Sequence, residues 1–264
     1  MDIEAYLSSF GDVSGLERKV LIKEMDGAWD NLGLSNSKPL KDQYHQAKRF
    51  YSHPVWILNG LFSERDDTSR NHRISIAKYV ASLSVERVAD YGGGAGVLAR
   101  FIVENGDGIT VDIVEPYPSP YFLERMKKTE RVRYVPLPRG PYDLVIAQDV
   151  LEHVDEPLEL AVQLVEATRM NGHLIFANNF HPEMKCHLPS TFYLRNTFKI
   201  LMRCAGLRFV EPIPGARHAH VFRREGVVNR HRLLKVDAWA KIFGPSINEL
   251  RRLASQGKSA LFRL

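Results

Sequence analysis

A glycine-rich turn between a buried strand and a helix is the sequence feature that most restricts the fold of this chain. Residues 87–91 form a short apolar run, the motif DYGGGAG brings in Gly92, Gly94 and Gly96, and residues 96–104 follow with a helical pattern. Glycine permits a sharp turn and lets the backbone approach a ligand closely. The order strand, turn, helix indicates a nucleotide site in an α/β fold, and the glycines alone would fit NAD equally well.

Short apolar runs alternate with helical stretches from residue 86 onward. Seven runs have the length and composition of strands, at residues 87–91, 109–114, 132–135, 142–147, 173–177, 207–210 and 219–222. Helical patterns between most of them predict a largely parallel sheet with helices on both faces. A short turn with Pro212, Pro214 and Gly215 joins the last two runs. One of these two strands must therefore run antiparallel.

Predicted helices flank this Rossmann-like region on both sides. Residues 1–80 are expected to form a helical lid over the substrate, residues 81–224 the nucleotide-binding domain, and residues 225–264 a basic annex with helices at 228–243 and 246–255. The predicted lid is rich in aromatic and histidine side chains. Those that can cap a pocket are Tyr44, His45, Tyr51, His53 and Trp56.

Basic side chains concentrate towards the end of the sequence. The net charge is +5, and residues 195–264 carry 15 Lys and Arg against four Asp and Glu. Such a segment can attract phosphates, nucleic acid or an acidic carrier protein. Because no nucleic-acid-binding motif accompanies the charge, nucleic acid is not the expected partner. Solvated helix faces or the subunit contact of a homodimer are the simpler interpretations.

Several features favour a cytoplasmic protein without a membrane partner. No apolar run approaches the roughly 20 residues that span a bilayer. The start Met1-Asp2-Ile3-Glu4 is acidic and is not typical of a secretion signal. Two cysteines, Cys186 and Cys204, in 264 residues indicate free thiols in a reducing compartment.

Polar residues stand where the predicted strands end. Asp90 precedes the first glycine, where a carboxylate can receive an ammonium group. Glu115 ends the second strand, 19 residues after Gly96, where an acid can bind both hydroxyls of a ribose. Gln148 and Asp149 follow the fourth strand.

The motifs VADYGGGAG, VDIVEP and YDLVIAQDVLEHV together resemble those of the class I S-adenosylmethionine (SAM)-dependent methyltransferases, over residues 75–222. The resemblance implies a seven-stranded Rossmann-like sheet with a reversed last strand, and SAM as the cofactor. It assigns Asp90 and the glycine loop to the methionine half of SAM, Glu115 to the ribose, and Gln148 and Asp149 to the neighbourhood of the transferred methyl group.

One departure from the family pattern concerns the adenine. Family members often carry an acid after the third strand that binds the adenine amino group, and residues 135–139 contain none. We therefore expect backbone and apolar neighbours to hold the adenine. The candidates are Leu137, Tyr117 and Pro116.

Three histidines are the candidate catalytic residues. His153 follows the fourth strand, and His181 and His187 lie in the loop after the fifth, where this fold places acceptors. A neutral imidazole can remove the proton of a hydroxyl group near neutral pH. Cys186 with these histidines fits no standard zinc spacing. We therefore expect catalysis without a metal.

A looser resemblance narrows the acceptor. The segments HPVWILNGLF and CHLPSTFYLR are similar to methyltransferases of bacterial surface-polysaccharide and secondary-metabolite pathways, which implies a sugar or another polyhydroxylated small molecule. The leading hypothesis is thus an O-methyltransferase. Three alternatives stay open: a SAM-consuming cyclase that releases methylthioadenosine, a methyltransferase for RNA or a carrier protein, and a SAM-binding protein without catalysis.

Overall fold

A seven-stranded sheet is the central element of the computed structural model. The structure describes the backbone of residues 3–10 and 15–261, and the side chains of these residues up to residue 254. The spatial order of the strands in the sheet is β3-β2-β1-β4-β5-β7-β6. The strands are β1 (Arg87–Tyr91), β2 (Thr110–Val114), β3 (Val132–Val135), β4 (Tyr142–Gln148), β5 (Thr168–Ala177), β6 (Leu207–Ile213) and β7 (Ala216–Arg224). Strands β1 to β5 pair in parallel, and β7 runs antiparallel between β5 and β6. The predicted α/β sheet with a reversed last strand is confirmed.

Ten helices accompany the sheet in the part of the chain described. They are α1 (Ile3–Ser8), α2 (Arg18–Asn31), α3 (Tyr44–Tyr51), α4 (Val55–Arg65), α5 (Asp67–Ala81), α6 (Val97–Asn105), α7 (Pro120–Met126), α8 (Pro157–Ala167), α9 (Leu194–Cys204) and α10 (Arg230–Leu261). No helix among these is both long and apolar enough to cross a membrane. Cys186 and Cys204 are buried free thiols.

Both faces of the sheet are buried, which explains why its strands read as continuous apolar runs. Alternate side chains of β4 point to opposite faces. Val145 belongs to the cluster that includes side chains of α8, α9 and α10, whereas Leu144 and Ile146 belong to the cluster that includes side chains of α5 and α6. The strand order reverses between β1 and β4, so a crevice opens beyond their carboxyl ends.

The N-terminal helices have a core of their own. Trp29 of α2, Phe50 of α3 and Leu58 of α4 are buried together, with Trp29 and Phe50 in edge-to-face contact at 5.2 Å between ring centroids. Helix α4 packs against the glycine loop through Gly60. A Cβ atom at this position would lie 2.6 Å from the Cβ of Ala95. The close approach positions the N-terminal helices against the carboxyl edge of the sheet.

Two element predictions were wrong. Residues 228–255 were expected to form two helices, but α10 continues through Pro245. A Cβ at Gly244 would lie 2.7 Å from the carbonyl oxygen of Tyr193, so this glycine allows α10 to pack closely on the start of α9. The sequence pattern of residues 156–169, followed by Asn171 and Gly172, predicts a helix up to residue 169 and a turn at Asn171. In the structure α8 ends at Ala167, and Asn171 lies inside β5 with a φ of +63°.

Candidate active site

A cavity of about 1100 Å³ opens at the carboxyl ends of the parallel strands, with side chains of α2, α4 and α5 on its other wall. All but one of the motif residues predicted to contact SAM and of the three candidate histidines line this cavity. The lining residues among them are Asp90, Gly92, Gly94, Glu115, Gln148, Asp149, His153, His181 and His187. Gly96 is buried behind the loop at the start of α6.

Backbone geometry explains two of the glycines. Gly92 has a φ of +67°, and a Cβ there would lie 2.6 Å from a methyl group of Val150. Gly96 has a φ of +71°, and a Cβ there would lie 2.9 Å from Ile113. Both positions combine a left-handed conformation with no room for a side chain. The loop therefore lies close against the sheet and presents its backbone to the cavity.

Asp90 is a buried carboxylate with an unsatisfied atom. Only 2% of its surface is exposed, and its Oδ2 has no hydrogen-bond partner. Burial raises the pKa of Asp90 to about 7; the nearby Arg73 opposes this shift and Glu115 adds to it. A buried acceptor without a donor is costly. A cationic group entering the cavity would remove that cost.

Arg73 on α5 also lines the cavity, although no sequence motif points to it. Its Nη1 donates to the carbonyl oxygen of Ser69 at 3.2 Å. Burial lowers the pKa of Arg73, and the charges of Asp149, Asp90 and Asp66 oppose this shift. A guanidinium still stays charged at neutral pH. It can therefore receive a carboxylate beside Asp90.

Glu115 lies at the end of β2 with both carboxylate oxygens engaged. Oε2 accepts from the backbone N–H of Gly94 at 3.2 Å, and Oε1 accepts from that of Tyr117 at 3.1 Å. Burial raises the pKa of Glu115, while these two hydrogen bonds lower it. Each oxygen retains a lone pair for a further donor.

The rings around this end of the cavity follow the sequence expectations only in part. Tyr117 stacks on Tyr51 at 6.2 Å, with 12° between the ring planes, and both line the cavity together with His53 and Trp56. Tyr44 is exposed, and neither it nor His45 is among the lining residues. Leu137 is 71% exposed and likewise lies outside the cavity lining. Its hydrophobic side chain extends from a loop that the cavity does not reach.

Asp149, directly after β4, has an unusual backbone conformation. Its φ is +53°, a region that costs energy for residues other than glycine. Its N–H donates to the carbonyl oxygen of Ala177 at 2.7 Å, which ties the ends of β4 and β5 together. The side chain of Gln148 donates to Asp149 at 3.3 Å. These contacts direct two polar groups to the cavity beside the glycine loop.

His153 and His187, far apart in the sequence, meet at the cavity wall. Their rings are 4.9 Å apart and nearly perpendicular. The Nδ1 of His153 donates to the carbonyl oxygen of Cys186, and the Nδ1 of His187 donates to that of His181, both at 2.9 Å. Burial, and then the neighbouring His187, lower the pKa of His153 to about 3. His153 is therefore a neutral ring at physiological pH.

Glu152 completes this cluster and is fully buried. Its Oε1 accepts from the N–H of Asn179 at 2.6 Å, and its Oε2 has no partner. Burial and the charge of Asp149 raise the pKa of Glu152. Ligand-capable atoms of Glu152, His153 and His187 all lie within 4.8 Å of one another. The spacing along the chain did not predict this cluster, because His187 reaches it from a long loop.

Salt bridges and hydrogen bonds tie the N-terminal helices to the loop after β5. Arg18 of α2 pairs with Glu183 at 2.7 Å. Asp26 accepts from the backbone N–H of Lys185 at 2.7 Å, and Lys185 also pairs with Asp30. The cavity is thus enclosed between helices and loop. These contacts are consistent with a lid, which remains a prediction.

Comparison with known proteins gives a family match. The model of a family described as "Methyltransferase domain" matches residues 63–209, more than half of the chain. A ubiquinone biosynthesis O-methyltransferase of Hydrogenovibrio crunogenus is 23% identical over 58% of this chain and 69% of its own length. The protein of the same name from Aromatoleum aromaticum is 24% identical, over 67% and 74%.

Solved structures include one of human N-acetylserotonin methyltransferase in complex with SAM. It is 18% identical, with a TM-score of 0.49, and the match covers 79% of this chain and 65% of the human chain.

Proposed function

Because the chain belongs to the methyltransferase domain family, we propose that it transfers a methyl group from SAM to a hydroxyl group of a small molecule. It is a SAM-dependent methyltransferase with an α/β fold. The observation that carries the finer proposal is that residues of the SAM motifs and the histidine cluster line one cavity. When bound, SAM supplies an electrophilic methyl group. All other work falls to residues of this chain.

The residues present fit SAM. In our proposal the unsatisfied Asp90 receives the ammonium group and Arg73 receives the carboxylate of the methionine half. Glu115 uses its remaining lone pairs for the ribose hydroxyls. Gly92 lacks a side chain that would collide with Val150, and it lines the cavity. Pro116 and Tyr117 line the cavity next to Glu115 and are the proposed adenine neighbours.

The size of the cavity favours a second substrate. Pockets for a single small ligand measure about 300–1,000 Å³. The present cavity, about 1100 Å³, exceeds that range. A cyclase needs no room beyond SAM, so this volume supports the transferase hypothesis over the cyclase. Within residues 230–254, the part of α10 whose side chains the structure describes, none lines the cavity, so this part of the basic annex is separate from the proposed reaction site.

Polar groups in the acceptor part of the cavity support a polyhydroxylated acceptor. Asn178 lines the cavity, and its buried Oδ1 has no hydrogen-bond partner. Arg18 and Glu183, paired with each other, line it as well. Such groups can donate to and accept from the hydroxyls of a sugar. Leu21 and Met25 provide an apolar wall for the body of the acceptor.

Removal of the acceptor proton is assigned to the histidine cluster. Carbonyl oxygens only accept, so Nδ1 of His153 and of His187 must carry the proton of the neutral ring. Nε2 of each ring is then unprotonated. We propose His187 as the proton acceptor, with His153 orienting the hydroxyl. His181 contributes its carbonyl oxygen to the orientation of His187.

Mass spectrometry tests this function. The purified chain is first incubated with SAM alone, and then with SAM and a panel of sugar nucleotides, free glycosides and phenols. We expect S-adenosylhomocysteine and a methylated sugar derivative only when an acceptor is present. Methylated phenols with unchanged sugars would show that the acceptor is a phenol and not a sugar. Methylthioadenosine formed from SAM alone would show that the reaction is a cyclisation and not a methyl transfer.

A further inference from the structure

The cluster of Glu152, His153 and His187 contains more hydrogen-bond acceptors than donors. Both rings use the Nδ1 proton on a backbone carbonyl, which leaves each Nε2 with a lone pair. The Oε2 of Glu152 is buried without a partner. Three acceptor atoms in one buried place repel each other unless a proton or a metal cation lies among them, and the raised pKa of Glu152 shows that its carboxyl holds such a proton in the absence of a cation.

The arrangement also has the outer contacts of a built metal site. Histidines that bind metals usually donate their other ring N–H to a carbonyl or carboxylate, which fixes the tautomer and the orientation of the ring. Both histidines here do so, at 2.9 Å. Glu152 is held in turn by the N–H of Asn179 at its other oxygen.

From this geometry we infer that Glu152, His153 and His187 bind a divalent transition-metal cation. Their ligand-capable atoms lie within 4.8 Å of one another. This is a span that a small rearrangement would close to bonds of about 2.0–2.2 Å from each atom to one ion. Two imidazoles and a carboxylate suit zinc and the neighbouring divalent ions, and they leave coordination positions open to a ligand.

The site replaces the expectation of metal-free catalysis. His153 lines the cavity, so an ion bound there has access to the acceptor. A bound cation would lower the pKa of a coordinated hydroxyl, which would then lose its proton to water, and the histidines would act as ligands instead of proton acceptors. This consequence rests on the proposed function. The binding site itself does not.

Cation binding can be measured without any reaction. The full chain is treated with EDTA, dialysed, and titrated with Zn²⁺ in a calorimeter and with Co²⁺ in a spectrophotometer. We expect each protein molecule to bind one Zn²⁺ or one Co²⁺ ion. The visible absorption spectrum of Co²⁺ should change when its water ligands are replaced by the nitrogen and oxygen ligands of the site.

Three variants make the assignment specific. Glu152→Gln retains an oxygen for the N–H of Asn179, and His187→Asn retains a side-chain N–H for the carbonyl of His181. Both are expected to weaken Zn²⁺ binding by at least about tenfold. His218→Asn, at another histidine of the cavity wall, should bind as the parent does. Melting temperatures identify any variant that has failed to fold.

The outcomes separate this inference from the proposed function. A parent protein that takes up neither ion overturns the site, and so do folded Glu152→Gln and His187→Asn variants that bind as tightly as the parent. Full methyl transfer in EDTA together with no uptake overturns the site and leaves the proposed function standing. Stoichiometric, cluster-dependent binding without methyl transfer supports the site and counts against the function.

Discussion

The carboxylate of Glu115 accepts a hydrogen bond from the backbone N–H of Gly94, with 3.2 Å between Oε2 and nitrogen. The end of β2 is thereby joined to the glycine loop that follows β1. One residue can thus orient the loop and also bind a ligand that lies across both strands.

We expect Glu115→Ala to weaken SAM binding by about 2–4 kcal/mol, because two hydrogen bonds to a charged acceptor are lost. Isothermal titration calorimetry with SAM and with S-adenosylhomocysteine measures the change. Glu130→Ala, at an exposed position outside the cavity, is the control. Unchanged affinity in a folded Glu115→Ala variant would remove Glu115 from the ribose site.

Asp90 predicts a pH dependence of cofactor binding. Its pKa is raised to about 7 in the free protein, and an ammonium group favours the ionised carboxylate. SAM binding should therefore release a proton below pH 7, and the affinity should rise by up to about tenfold per pH unit towards pH 7. Calorimetry at about pH 5.5, 6 and 7, which covers roughly 1.5 units on the acid side of the pKa, measures this slope. Asp90→Asn should bind SAM weakly, and its affinity should not depend on pH in this range. If the variant shows the same pH dependence as the parent, Asp90 does not bind the ammonium group of SAM.

The same shift has a consequence for stability, with the opposite sign. The carboxyl group of Asp90 ionises near 3.8 when unfolded and near 7 when folded. The folded chain therefore holds the proton more tightly, and this group's contribution to stability decreases as pH rises from about 4 to 7. Urea unfolding without SAM should show a smaller decrease in Asp90→Asn than in the parent.

Arg73 predicts a loss that depends on the ligand. If its guanidinium binds the methionine carboxylate, Arg73→Met should weaken S-adenosylhomocysteine by about 1.5–3 kcal/mol. Methylthioadenosine lacks that carboxylate and should bind both proteins equally. Arg70→Met, on the same helix but outside the cavity lining, is the matched control. Equal losses for both ligands would indicate a structural role for Arg73.

The cofactor part of the cavity was largely predictable because it depends on local motifs. Asp90, Glu115 and Asp149 each follow or end a parallel strand, and the carboxyl ends of such strands meet at one edge of the sheet. The short apolar runs that predict these strands also predict where the polar residues converge. Arg73 escaped this reasoning because it belongs to a helix before the first strand. Its position depends on how α5 packs.

The histidine cluster was beyond sequence reasoning for a different reason. His187 reaches His153 from the loop between β5 and α9, whose course depends on tertiary contacts such as the hydrogen bond from Leu188 N–H to Glu152 O. No periodic pattern specifies such a loop. Local signals also misled at Pro245, where the packing of Gly244 against Tyr193 outweighs the tendency of proline to end a helix.

The last prediction concerns the candidate catalytic histidines. His187→Ala should lower turnover at saturating substrate by about 10²- to 10⁴-fold, because the variant loses a group that removes or polarises the acceptor proton. SAM affinity should stay near the parent value, since the proposed SAM contacts lie on Asp90, Arg73 and Glu115. His45→Ala, outside the cavity lining, controls for the loss of an imidazole as such.

A residue that only packs would produce a different pattern. Its loss would lower the melting temperature and spare the turnover of the molecules that remain folded. His153→Ala and His181→Ala complete the series, and the contacts of His181 predict the smallest change, because it serves the cluster through a backbone carbonyl that alanine retains. If His187→Ala and His153→Ala both fold, bind SAM and turn over at the parent rate, neither histidine acts on the acceptor. The proton must then leave by another route, for which Asp149 and His218 are the next cavity residues to substitute.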